Sequence, residues 1–189
     1  MDNLKHIEVE LKFPLSDYES LISKLNSLAK SEKREDYQKD TYYIPHHRNF
    51  LDKKPISEWL RLRESKKGFS LNYKHWHNED GKNTTSCDEF QTSITDIFAL
   101  EKILESLNFK KIIVVEKTRN TWRYKDVEIA IDNVTNLGHY IELEAKGNFK
   151  TIDDAKNHLY SILNELNANV GEQDFKGYPY LILEQKKLL

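Results

Sequence analysis

Residues 6 to 13 of the chain (His6-Ile7-Glu8-Val9-Glu10-Leu11-Lys12-Phe13) alternate polar and apolar without a break. Successive side chains of a strand take opposite faces, so Ile7, Val9, Leu11 and Phe13 define one face and His6, Glu8, Glu10 and Lys12 the other. The apolar face needs a covering layer. The polar face stacks two carboxylates and an ammonium at every second residue. Like charges so placed repel, most strongly where the face is enclosed and poorly hydrated. A divalent cation between Glu8 and Glu10 turns that repulsion into binding, because hard cations take carboxylate oxygens. Taken alone, the alternation favours the plainer reading of a half-exposed strand with a solvated polar face; what changes the balance lies in the other strands.

The same period recurs along the chain. Residues 36–44 read as a strand stopped by Pro45. In 58–64, Trp59, Arg61 and Arg63 share a face opposite Leu60 and Leu62. Beyond a turn at Gly68, Phe69, Leu71 and Tyr73 oppose Ser70, Asn72 and Lys74, and 84–92 carries Glu89 and Gln91 on one side. Further strands are expected at 112–119, at 122–125 leading through a turn at Asp126 into 127–132, and at 140–146. The stretches 46–55 and 75–83 read as connections. Helical spacing predicts helices over 18–28 (capped by Ser16), about 95–107, and from near Thr151 to Leu166. Their apolar stripes, including Ile97, Phe98, Ile103, Leu104 and Leu107, are expected to be core. Roughly eight strands and three helices, with Gly-punctuated meanders, point to an α+β fold with an antiparallel sheet that closing would make a barrel.

At 189 residues the chain is expected to form one domain, residues 1–189. Its formal charge of −2 gives no whole-molecule attraction to nucleic acid or anionic membrane, so neither partner is expected. The one cysteine, Cys87, excludes an internal disulfide and a cysteine-based zinc site. Without an apolar run approaching a membrane span or a signal peptide, a cytoplasmic location is expected. Cys87 reads as a small strand residue, and His46-His47 and His75-Trp76-His77 as surface histidines rather than metal ligands. With no Gly-rich phosphate loop, any phosphate grip must come from side chains.

The polar strand faces sort their charges by sign. Acids stand at Glu8, Glu10, Glu89, Asp132, Glu142 and Glu144; bases stand at Lys12, Arg61, Arg63, Lys74, Lys117 and Arg119. Four like-charge doublets at i, i+2 (Glu8/Glu10, Arg61/Arg63, Lys117/Arg119 and Glu142/Glu144) are unusual, because solvated faces mix signs. Turned inward around a water-filled bore, the acids would collect one or two Mg²⁺ or Mn²⁺ ions and the bases would hold phosphate oxygens, Arg in bidentate fashion.

Glu8-Val9-Glu10-Leu11-Lys12 resembles the Glu-x-Glu-x-Lys signature of the CYTH superfamily, the triphosphate tunnel metalloenzymes. The similarity continues in order through Asp40-Thr41-Tyr42-Tyr43, Leu60-Arg61-Leu62-Arg63, Asn72-Tyr73-Lys74, Glu116-Lys117-Thr118-Arg119, Asp132-Asn133-Val134 and Leu137 to Glu144, with Tyr178 resembling a further family position. The resemblance implies a closed tunnel of eight antiparallel strands with helices packed outside. It implies that Glu8, Glu10, Asp132, Glu142 and Glu144 carry the divalent metal, Mg²⁺ or Mn²⁺. Lys12, Arg61, Arg63, Lys74, Lys117 and Arg119 would grip the triphosphate, and in the hydrolytic branch Lys12 with Tyr42 would activate water.

Two activities stay open. The stretches Val115 to Arg119 and Ile131 to Gly138 look more like the class IV adenylyl cyclase branch, which makes cyclic AMP and pyrophosphate from ATP. The alternative is a triphosphatase acting on inorganic triphosphate, thiamine triphosphate or a nucleoside triphosphate. Ile44, where the family often has an acid, and Gly177-Tyr178-Pro179-Tyr180, where Ser-Tyr-x-x-Leu is usual, depart from the pattern and leave adenine recognition open. A non-catalytic polyphosphate or nucleotide sensor is a further reading, disfavoured because all five acids are present. The oligomeric state is left open, a homodimer included.

Overall fold

The computed structural model describes residues 7–28, 34–77 and 86–189. Among these, eight strands and four helices follow in the order β1 (Ile7–Pro14), α1 (Tyr18–Leu28), β2 (Arg34–Ile44), β3 (Glu58–Ser65), β4 (Gly68–Trp76), β5 (Ser86–Ile94), α2 (Ile97–Ser106), β6 (Lys110–Tyr124), β7 (Val127–Val134), β8 (Gly138–Ala145), α3 (Ile152–Leu166) and α4 (Tyr178–Gln185). A short 3₁₀ turn at Phe50–Asp52 interrupts the connection before β3. The strands close into an antiparallel barrel in the order β1-β5-β4-β3-β2-β6-β7-β8. Closure falls on β1, whose first half pairs with β5 and whose second half pairs with β8.

Alternation decides which side chains face in. Val9, Leu11 and Phe13 of β1 point outward and are buried with Ile129, Ile131, Ile141 and Leu143 beneath α1 and α3, which contribute Leu21, Leu25, Leu159, Ile162 and Leu166. Burying such side chains contributes about 1.5–3 kcal/mol each, so this layer holds the barrel wall in shape. On the opposite flank α2 lays Ile97 and Leu104 on Tyr43 and Leu62. The helices start where side chains satisfy free backbone N–H groups: Asp96 accepts from Ala99 N (2.9 Å) and Thr151 from Asp154 N (3.0 Å). For α1 the acceptor is Asp17, bonded by Ser20 N (3.3 Å), not the expected Ser16.

Other expectations need correcting. The stripe of α2 is core only in part, since Phe98 (76% exposed), Ile103 and Leu107 face outward. Residues 75 and 76 extend β4 instead of opening a loop; the rest of that expected loop, 78–83, lies outside the described residues. The fourth helix, α4, was not expected. It packs Tyr178, Ile182 and Leu183 against Ile113, Val115, Val134 and Tyr140, residues that share strand parity with the charged lumen. The barrel interior is therefore apolar at the end where α4 seats, and charged beyond it.

Candidate active site

A cavity of about 560 Å³ lies within the barrel, a volume suited to a small-molecule ligand. Glu8, Glu10, Lys12, Tyr42, Arg61, Arg63, Lys74, Lys117, Arg119, Glu142 and Glu144 all line it. Register places the acids side by side: Glu10 lies directly opposite Glu144, and Lys12 opposite Glu142, across β1 and β8. Glu128 of β7 stands opposite Glu144 on its other side and joins the lining. The alternation of 128, 130 and 132 carries that signal in the sequence.

Asp132 does not line the cavity. It is fully buried one layer back, where Arg119 donates to both of its oxygens (2.7 and 2.7 Å), Lys117 donates at 3.1 Å and the Tyr178 hydroxyl at 2.8 Å. Asp40, which does line the cavity, is held in the same way. Arg63 forks onto it at 2.6 and 2.7 Å and Arg61 approaches to 3.6 Å. In each case the aspartate is the direct cross-strand partner of the arginine it holds, Asp40 of Arg63 and Asp132 of Arg119. Burial opposes ionisation of Asp40, but Arg63 and Arg61 overcome it and keep the carboxyl below the usual carboxylate range.

The lumenal charges are matched rather than free. Lys12 Nζ lies 3.3 Å from Glu10 and 3.1 Å from Glu142, and 4.8 Å above the Tyr178 ring. Glu142 also meets Arg119 at 3.0 Å. Burial disfavours its charge, yet Arg119 and then Lys12 hold its carboxyl well below the ordinary range. Lys117 is pushed down to about 7, by burial first and then by Arg119, although Asp132 opposes the shift. Glu144 is pushed up to about 8 by burial and the neighbouring Glu8, despite its bond from Lys146. Burial pushes the Cys87 thiol up, so it stays protonated and unreactive. Tyr42 packs edge-on against Trp59, with ring centroids 5.6 Å apart.

The carboxylates have the donor chemistry for a hard divalent cation, and Glu8, Glu10, Glu142 and Glu144 line the same cavity, with Glu10 directly opposite Glu144. Among the described residues no three His, Cys, Asp or Glu side chains converge as a ready-made cage, since Lys12 and Lys74 draw the carboxylates to themselves. His75 and His77 sit with rings 6.3 Å apart, and His77 pairs with Asp88 at 3.2 Å.

The C-terminal segment also completes the wall, through Gln173, Asp174, Phe175, Lys176 and Gly177 before α4. Asp174 N donates to Lys12 O (2.8 Å), and Asp174 Oδ1 accepts from Lys176 N and Gly177 N (2.8 and 3.1 Å). Gly177 then turns the chain at φ 78°, a conformation glycine adopts without a Cβ penalty. Nothing in the sequence pattern placed Asp174 or Gln173 at the lumen.

A closed antiparallel tunnel with a charge-sorted lumen is the class that fold and cavity define together. The chain belongs to the CYTH domain family, whose model matches residues 6–178. It is 28% identical over 173 residues to the Methanocaldococcus jannaschii protein named "Putative adenylate cyclase MJ0240", covering 91% of this chain and 96% of that one. The solved structure of PH1819 from Pyrococcus horikoshii OT3 is similar at a TM-score of 0.78 and 28% identity, over 94% of this chain and 99% of that one. The fold is also that of Hippeastrum HpAC1, named a "Putative adenylyl cyclase" with a dominant triphosphatase activity, at a TM-score of 0.61 and 13% identity over 95% and 96% of the two chains. Among the described residues no helix is long and apolar enough to cross a membrane.

Proposed function

We propose that the chain is a divalent-metal-dependent enzyme of the class IV adenylyl cyclase type, converting ATP to cyclic AMP and pyrophosphate. The observation that carries this reading is the convergence of Arg61, Arg63, Lys117 and Arg119 with Glu8, Glu10, Glu142 and Glu144 on one cavity. Two of the arginines are already oriented by buried aspartates. Such preorganised donors stabilise charge that develops on phosphoryl oxygens without having to reorganise.

Arg61, Arg63, Lys117 and Arg119 bind the triphosphate oxygens, and the two forks fix its direction in the tunnel. Glu8, Glu10, Glu142 and Glu144 would hold Mg²⁺ or Mn²⁺, which when bound offsets negative charge on the phosphates. Asp132, expected as a metal carboxylate, is assigned instead to orienting Arg119 and Lys117, because its oxygens are committed to them and to Tyr178. In the cyclase reaction the 3′-hydroxyl oxygen forms a bond to the α-phosphorus and gives up its proton to solvent, the bond from the α-phosphorus to the α,β-bridging oxygen breaks, and pyrophosphate leaves. Positioning the hydroxyl in line is then the main task left to the walls.

The second reading is a triphosphatase, favoured by the presence of Lys12 and Tyr42 on the same cavity. In it they orient a water that attacks the γ-phosphorus as the bond to the β,γ-bridging oxygen breaks, releasing orthophosphate, and the water's proton passes to solvent. The substrate would be inorganic triphosphate, thiamine triphosphate or a nucleoside triphosphate.

The test is product identification after incubating purified protein with ATP, inorganic triphosphate and thiamine triphosphate, each with Mg²⁺ or Mn²⁺. Cyclic AMP and pyrophosphate from ATP are expected. Orthophosphate without cyclic AMP supports the second reading. Tight triphosphate binding with no product under any metal would overturn both in favour of a sensor.

A further inference from the structure

Lys74 projects from β4 into a group of three carboxylates. Its Nζ is hydrogen-bonded to Glu8 and lies 3.7 Å from both Glu10 and Glu89. The acids come from β1 and β5, and Asn72, two residues earlier on the same face of β4, donates to the other oxygen of Glu89. Glu10 also meets Lys12 at 3.3 Å, whereas among the described residues Lys74 is the one cation within 4 Å of Glu8 and of Glu89.

The contrast with the arginines is informative. Arg63 and Arg119 are held by Asp40 and Asp132, which are 1% and 0% exposed and committed to them through bidentate forks. Lys74 has no fully buried, bidentate counter-ion of this kind. Two of its partners, Glu8 and Glu10, belong to the set assigned above to the metal. Its ammonium is a point charge on a flexible four-carbon stem, which can change partners without moving the backbone.

We propose that Lys74 is a tethered counter-ion that holds Glu8, Glu10 and Glu89 before ligands bind and exchanges them for phosphate oxygens when metal and triphosphate arrive together. The proposal deepens the metal–triphosphate reading and rests on it. Metal alone has to displace an ammonium that then has no partner. Triphosphate alone has to draw the ammonium away and leave Glu8 and Glu89 without their nearest cation. When both bind, each charge is matched, so each ligand tightens the other by the same factor.

The test measures Mn²⁺ binding by electron paramagnetic resonance, with and without a methylene-bridged inorganic triphosphate analogue. Lys74→Met is compared with Lys176→Met, which removes an equal charge from the cavity wall where the ammonium pairs with Glu184 at 3.1 Å. The wild-type chain should bind Mn²⁺ weakly alone and about tenfold or more tightly with the analogue. Lys74→Met should bind Mn²⁺ alone about tenfold more tightly than wild type, with coupling to the analogue reduced to about threefold or less, while Lys176→Met follows wild type. Unchanged or weaker Mn²⁺ binding by Lys74→Met, with wild type binding both ligands, overturns the proposal and leaves the functional reading standing. Equal shifts in both variants also overturn it, as a general field effect. Wild type that binds no Mn²⁺ even with the analogue overturns the functional reading itself. If Lys74→Met loses its cooperative thermal transition, Lys74→Gln takes its place in the same comparison.

Discussion

Arg63 and Arg119 reach the lumen with their guanidinium planes set by an aspartate directly opposite on the next strand. Buried ion pairs of this kind add little net stability, because desolvation offsets the attraction; their use is geometric. Arg63→Lys keeps the charge and loses the fork, so triphosphate affinity should fall about tenfold or more with little change in fold, as read by calorimetry. Asp40→Ala leaves Arg63 and Arg61 unpaired and should cost about 3–5 kcal/mol in urea unfolding. Lys117 supplies a pH signature. Held at about 7, it is mostly neutral at pH 8 in the free protein, and a bound anion favours its charged form. Triphosphate binding at pH 8 should therefore take up a proton, and affinity should decline as pH rises above about 7. Binding enthalpies in buffers of different ionisation heat measure this, and the uptake should vanish in Lys117→Met. The lumenal faces of these residues were legible in strand alternation. The depth of Asp132 was not, because parity gives a face and only register tells which arginine stands opposite.

At the scale of elements, the strands and the helices at 18–28 and 152–166 followed from period and composition. α2 shows the limit of that reasoning. Ile97 and Leu104 pack on the barrel, while Phe98, Ile103 and Leu107 flank that narrow contact and stay exposed; apolar spacing does not reveal how wide a neighbour the helix meets. Phe98→Ser should change stability by no more than about 0.5 kcal/mol, whereas Leu104→Ala should cost about 2–5 kcal/mol, both measured by urea unfolding. α4 escaped notice because it is short and begins Tyr178-Pro179, where proline usually signals a break. In the first turn of a helix, however, proline forfeits no intrahelical hydrogen bond.

For the whole molecule, the barrel depends on a seam. β1 bonds to β5 and to β8, and its outward residues join the layer beneath α1 and α3. Leu11 is fully buried there, and Leu11→Ala should lower stability by about 2–5 kcal/mol in a single cooperative urea transition. Closure was readable as a tendency, from many one-sided strands in succession. Which strand closes on which was not, since β1 meets partners about 80 and 130 residues further along the chain, a separation local pattern does not encode.

The wall supplied by residues 173–178 ties the chemistry to the order of synthesis. A nascent polypeptide still missing that segment can display every strand and yet offer no finished chamber. The cavity wall is complete only once the segment carrying Asp174 and Tyr178 has folded back across β1.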